Sequence, residues 1–237
     1  MLYSRILLKL SGEALAGSKG FGIDGATLSA IAYPVKAVLE MGIQVGIVIG
    51  GGNIFRGIST SEKPNRVDAD YMGMLATVIN ALAFKGALET YKLDCRVLSA
   101  IDMPGVVERH MKAKAVKHLE KGRVVIFAGG TGSPFFTTDT AAALRALEIG
   151  ADVLIKATKV NGIYDKDPVK FTNATFFPEL DFDTVLSMNL GVMDATAISL
   201  CRENNLEVRV INISEKENLL RLLKGEAVGS VVRARRA

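Results

Sequence analysis

Cysteine is scarce in this chain. Only Cys95 and Cys201 occur in 237 residues, each alone in its surroundings. Without a CxxC or Cys/His spacing there is no zinc site and no disulfide framework to expect, and no metal-ligating set among the side chains. Both thiols read as small buried hydrophobes. Histidine is equally scarce: His110 and His118 lie in a lysine-rich helical segment, after no strand end, and are expected on the surface. The apolar stretch within residues 1–17 is far too short to span a bilayer and lacks a typical cleavage site. The next most apolar run, 42–49, is only of strand length. A cytosolic protein without membrane contact is the expectation.

An excess of charge of either sign is also missing. The 29 basic and 25 acidic residues leave a net charge of +4, too small to imply nucleic-acid binding by itself. It does fit a pocket for anions, if the charges converge locally. No repeat of 20 to 50 residues and no low-complexity segment is present. What is there is a chain 49% hydrophobic, hence globular, and long enough for one large domain or two intimate lobes.

Apolar runs alternate with segments of helical period. Strands are predicted over 5–10, 43–49, 96–101, 123–128, 152–157, 208–213 and 229–232. Helices are predicted over 26–41, 70–91, 106–120, from Thr138 or Asp139 to 149, and over 183–188, 194–203 and 215–223. Gly42 sits where a helix stops on glycine. In 70–91, Met72, Leu75, Ile79 and Leu82 fall at helical spacing. Turn signals crowd 161–173, and the basic tail 233–237 reads as a solvated end. Strict alternation of strand and helix implies a mostly parallel sheet covered on both faces. In such sheets ligands collect beyond the carboxyl ends of the strands.

Four strand ends share one chemistry there. The first reads Lys9-Leu-Ser-Gly12; the second reads Gly50-Gly-Gly-Asn53, followed by Arg56 and Gly57. The third reads Gly129-Gly-Thr-Gly-Ser-Pro-Phe-Phe-Thr-Thr-Asp139, and the fourth Lys156-Ala-Thr-Lys159 with Asn161 to Pro168 behind it. Glycine lets the backbone approach a phosphate and show it N–H groups, and adjacent lysine or arginine adds full charge. None of the four is GxxxxGK[ST] or GxGxxG, and the HRD and DFG signatures are absent, so the common nucleotide-binding readings fail. With no histidine at a strand end, a mechanism that needs a histidine base is disfavoured. Phosphoryl transfer to a phosphate needs none, because a phosphate monoester is already largely ionised near neutral pH. The enzyme then has to neutralise two approaching anions and hold them in line.

These motifs, KLSGE at 9–13, GGGNIFRG at 50–57, GGTGSPFFTTD at 129–139 and KATKVNGIYDKDP at 156–168, resemble the bacterial UMP kinases, a branch of the amino acid kinase family. The resemblance runs from about residue 4 to 232. It implies a three-layer αβα sandwich, with an acceptor-binding lobe over about 1–155 and an ATP-binding lobe over about 156–237. It implies ATP and UMP as substrates, and magnesium carried mainly on the ATP phosphates. Lys9, Arg56 and Asp194 would be catalytic, Lys9 bridging the transferring group and Asp194 positioning that lysine or simply capping its helix. Lys9, Leu10, Ser11, Gly12, Gly52, Arg56, Thr158, Asn161, Tyr164 and Asp167 would hold ATP; Asn161 stands where many members carry aspartate. Gly51, Asp70, Thr131, Gly132, Ser133, Pro134, Phe135, Phe136, Thr137 and Thr138 would hold UMP. In that set Asp70 would bind the ribose or cap its helix, and the two phenylalanines would pack the loop. Asp139 would cap the following helix or orient the loop, and Lys156 would add positive charge. The resemblance further implies a homohexamer, inhibition by UTP and activation by GTP, with Gly17, Ser18, Lys19, Gly20, Phe21 and Gly22 in the effector segment. Two other readings stay open: a family member phosphorylating a carboxylate or carbamate, and a nucleotide sensor without catalysis.

Overall fold

The computed structural model describes residues 2–55, 65–215 and 217–235. The apolar runs become strands and the periodic segments become helices, in the order β1 (Arg5–Leu10), α1 (Gly12–Leu15), α2 (Gly25–Glu40), β2 (Gln44–Ile49), α3 (Arg66–Thr90) and β3 (Cys95–Ser99). Next come β4 (Glu108–Arg109), α4 (Lys112–Glu120), β5 (Val124–Ala128), α5 (Thr138–Ile149) and β6 (Val153–Thr158). A short hairpin, β7 (Ile163–Tyr164) and β8 (Phe176–Phe177), precedes β9 (Glu179–Asp181), α6 (Phe182–Ser187), α7 (Ala195–Glu203), β10 (Glu207–Asn212), α8 (Asn218–Leu223) and β11 (Ser230–Arg233). The main sheet runs β4-β3-β5-β2-β1-β6-β10-β11-β9. Every pairing in it is parallel except β10 with β11.

Strand parity divides the core into two layers. In β1, Ile6, Leu8 and Leu10 face α2, α3 and α8, while Leu7 faces the layer of α4, α5, α6 and α7. In β6, Val153, Ile155 and Ala157 share the first layer and Leu154 the second. By the same parity, Lys9 and Lys156 point into the second layer. They are also direct partners in the β1–β6 register.

Several boundaries differ from the sequence expectation. The helix expected over 106–120 begins only at Lys112. Gly105, at φ +81°, breaks the chain, and Glu108–Arg109 pairs with β3 as an edge strand. His110 therefore does follow a strand, and neither histidine is on the surface, their side chains being only 11% and 13% exposed. The expected helix at 70–91 starts at Arg66, capped by Asn65, so Asp70 is not its cap. Its stripe of Met72, Leu75, Ile79 and Leu82 is exposed; the face on the sheet is Val78, Ala81, Phe84 and Leu88. By length and composition α3 could cross a membrane, but this inner face is packed in the core.

Candidate active site

At the carboxyl end of the sheet, two lysines meet one carboxylate. Lys9 Nζ lies 2.7 Å from Asp139 Oδ1 and Lys156 Nζ 2.9 Å from Asp139 Oδ2. Lys156 also donates to the Val192 carbonyl. Lysines directly opposite on adjacent strands repel. Asp139, projecting from the first turn of α5, stands between them and cancels one of the two charges. Burial alone would raise its carboxyl, but Lys9 and Lys156 hold it below the usual carboxylate range. Burial and the nearby Lys9 bring Lys156 below the usual lysine range. Asp139 is not the helix cap. That position is Thr137, whose hydroxyl accepts from the Asp139 and Thr140 N–H groups.

The carboxylate in contact with Lys9 is thus Asp139, not Asp194. Asp194 caps α7 by accepting from Ala197 N–H at 3.0 Å, and it also accepts from the Thr137 and Thr140 hydroxyls. It ties the N-terminus of α5 to that of α7, and so acts one step behind the residue that holds Lys9. Arg56 lies outside the described residues.

Glycines bring the first two loops together. A Cβ on Gly12 would sit 2.5 Å from Asn53 Oδ1 and 2.6 Å from the Gly50 carbonyl; one on Gly51 would sit 2.7 Å from the Gly73 carbonyl. Beneath them, buried Asn53 and Asn80 exchange hydrogen bonds at 3.0 and 2.6 Å. Asn80 also donates to the Gly50 carbonyl, and Asn53 to the Gly22 carbonyl. Residues 17–22 are therefore fastened to the second loop, with Phe21 left exposed. Ser11 caps α1, and Leu10 is buried core whose carbonyl accepts from Gly50 N–H.

Two cavities open at this end of the sheet, one of them walled by Lys156. One, of about 380 Å³, lies between the second loop, α3 and the third loop, with Gly51, Gly52, Asp70, Phe136, Thr137 and Thr138 among its walls. Asp70 accepts from Phe135 N–H at 2.7 Å and pairs with Arg66, whose guanidinium lies 5.7 Å over the Phe135 ring. Burial opposes ionisation of Asp70, but the Phe135 N–H and Arg66 bring its carboxyl below the usual range. Neither phenylalanine packs the loop as expected: Phe135, at φ +71°, is 66% exposed and Phe136 51%. Thr131 and Ser133 line an adjoining groove against α5 and α7, while Gly132, Pro134 and Phe135 line neither space.

The other cavity, of about 310 Å³, is walled by Lys156, Thr158, Tyr164 and Asp167, with Gly191 and Val192. Tyr164 is set by a tilted contact with Phe176, 5.3 Å between centroids. Asp167 accepts from Val169 N–H, which folds its loop. Asn161 is not brought here; it bonds Asn212 and lines a different cavity beside Arg209 and Arg221. Sequence reasoning did not single out Asn80, Arg66 or Thr77. The Thr77 hydroxyl accepts from Gly129 N–H at 2.9 Å and sets the start of the third loop.

Fold and site together define an α/β protein that gathers two lysines on one carboxylate at the carboxyl end of its sheet, with two cavities opening at that same end. The model of the amino acid kinase family matches residues 4–212, and the chain belongs to that family. It is similar to the solved structure of a UMP kinase from Bacillus anthracis, at 37% identity, with 99% of this chain and 97% of that one covered and a TM-score of 0.92. A UMP kinase from Ureaplasma parvum is 38% identical, with 98% and 100% covered and a TM-score of 0.91. A uridylate kinase from Archaeoglobus fulgidus is 28% identical, with 96% and 99% covered and a TM-score of 0.72.

Proposed function

We propose that this kinase transfers the terminal phosphoryl group of ATP to UMP, giving ADP and UDP. The observation that carries this is the Lys9–Asp139–Lys156 cluster, with Lys156 in the wall of one cavity and the GTGSPFFTTD loop, which leads into Asp139, in the wall of another. The α3 cavity takes the acceptor and the Tyr164 cavity takes ATP. This corresponds to an acceptor lobe up to about residue 155 and an ATP lobe beyond it. The two lysines meet the charge that builds up on the phosphoryl group in flight, and glycine N–H groups from the first two loops add donors. Asp139 keeps the lysines apart and aimed, and Asp194 holds the helix that carries Asp139. No base is assigned, since the acceptor phosphate already carries its charge.

Among the described residues no cluster of histidine, cysteine or acidic side chains is arranged to hold a metal. A magnesium ion fits here as a companion of the ATP phosphates, which would supply most of its oxygen ligands. Inhibition by UTP fits an acceptor pocket that reads uracil. A regulatory reach of residues 17–22 draws on the Gly22–Asn53–Asn80 connection to the second loop, and GTP as its activating ligand rests on the family resemblance alone. A coupled ATP-consumption assay across UMP, CMP, dUMP, GMP and amino-acid acceptors, with and without GTP and UTP, tests this reading. UMP is expected as the preferred acceptor. Turnover of an amino acid but not UMP would overturn it, and absence of any turnover would favour a nucleotide sensor.

A further inference from the structure

Behind the third loop lies a buried cation. Arg145 of α5 is 4% exposed. Its Nη1 donates to Glu148 Oε2 at 2.6 Å and its Nη2 to the Gly130 carbonyl at 3.2 Å. His110 Nε2 lies 2.9 Å from the same Glu148 oxygen, and its ring stands edge-on to Phe127, 5.5 Å between centroids. A partly buried chain His110–Glu148–Arg145 therefore ends on one loop carbonyl, just after β5. The Glu148 contact would suffice to stabilise α5. The bond to Gly130 serves the loop.

Gly130 has φ +59° and lines the α3 cavity. With no side chain, a glycine peptide has little of its own to fix its orientation. The peptide is planar and trans, so the Gly130 carbonyl and the Thr131 N–H point in opposite directions. With the carbonyl turned to Arg145, the Thr131 N–H points the opposite way from the guanidinium. Among the described residues that N–H has no hydrogen-bond partner. We propose that Arg145 is a positioning residue for acceptor binding, clamping the Gly130–Thr131 peptide so that its N–H is offered to the acceptor. Glu148 and His110 hold Arg145 in that orientation. This rests on the reading of the third loop as the acceptor site.

The test is steady-state kinetics of Arg145→Lys, which keeps a cation against Glu148 but loses the fork that reaches Gly130 as well. The KM for UMP is expected to rise about tenfold, the scale of a lost charged hydrogen bond, while kcat and the KM for ATP stay within about twofold. A purely structural role would lower the melting temperature without an acceptor-selective change. An unchanged UMP KM, or one that moves together with the ATP KM, overturns the inference. If Arg145→Lys does not fold, Glu148→Gln leaves Arg145 in place but loosens it, and is read by the same two outcomes. A wild type that ignores UMP overturns the proposed function; a UMP KM indifferent to these variants overturns this inference alone.

Discussion

At the scale of single residues, the site turns on one carboxylate serving two lysines. Replacing Asp139 with Asn removes its charge and leaves two buried ammonium groups facing each other. We expect kcat to fall by about 10²-fold or more, the usual scale for removing a preorganised electrostatic contact. Lys9→Ala is expected to lose turnover to at least that extent and still unfold cooperatively near the wild-type temperature, because Asp139 keeps Lys156 as partner. Full activity in Lys9→Ala would reject the mechanism. Glu148 makes a pH prediction. Although burial opposes ionisation, His110 and Arg145 pull its carboxyl from the ordinary 4.5 down to about 2. A depressed carboxylate contributes stability above its ordinary value and loses it as pH falls toward the depressed one. Urea unfolding should therefore show a wild-type advantage over Glu148→Gln at neutral pH that shrinks between about pH 4.5 and 2; a constant difference would contradict the pairing. Much of this was hidden in the sequence. LLKL and LIKA each show a lysine near the end of an apolar strand, but that the two are register partners depends on β1 and β6 being neighbours, far apart along the chain. Asp139 resembled an N-cap because helix caps and first-turn acids share residue types, and only the hydroxyl of Thr137 decides between them.

At the scale of elements, the strands were the most legible part, since five- and six-residue apolar runs bounded by glycine have few other uses. Helix existence was legible and helix orientation less so. In α3 apolar residues occur on both faces, so periodicity found the helix but not the side that meets the sheet. The 106–120 segment misled because residues 106–111 share the helical composition of residues 112–120, while Gly105 and the exposed edge of β3 impose a strand instead. The glycine loops carry the clearest test at this scale. Gly12→Ala puts a methyl group within 2.6 Å of Gly50 and Gly52 backbone atoms, which cannot swing aside as a side-chain end can. A cost of about 1–3 kcal/mol is expected, as in other overpacked sites. It should be accompanied by loss of activity, because the two loops proposed to hold the phosphates would be pushed apart. Chemical denaturation alongside the kinase assay measures both, and a stable, fully active Gly12→Ala would show that the close approach is not required.

At the scale of the whole molecule, the same helix that walls the α3 cavity presents Tyr71, Met72, Leu75, Ile79 and Leu82 outward, each between 38% and 50% exposed. A contiguous apolar stripe of this kind marks an interaction surface more often than a solvated face. Asp70, just before the stripe, holds the Phe135 N–H of the third loop and lines the α3 cavity, so a partner seated on the stripe would rest on the same helix that walls that cavity. A two-fold contact, α3 against its own copy, lets one apolar stripe serve as both halves of the interface. It would stiffen the helix on which the cavity is built. The double variant Leu75→Glu with Ile79→Glu places two like charges in that contact without touching the inner face of Val78, Ala81 and Phe84. Sedimentation velocity is expected to show the wild type as an oligomer and the variant as a smaller species, with the KM for UMP raised and the melting temperature lowered. A monomeric wild type, or a variant that sediments unchanged, would show that α3 is left uncovered by its own copies.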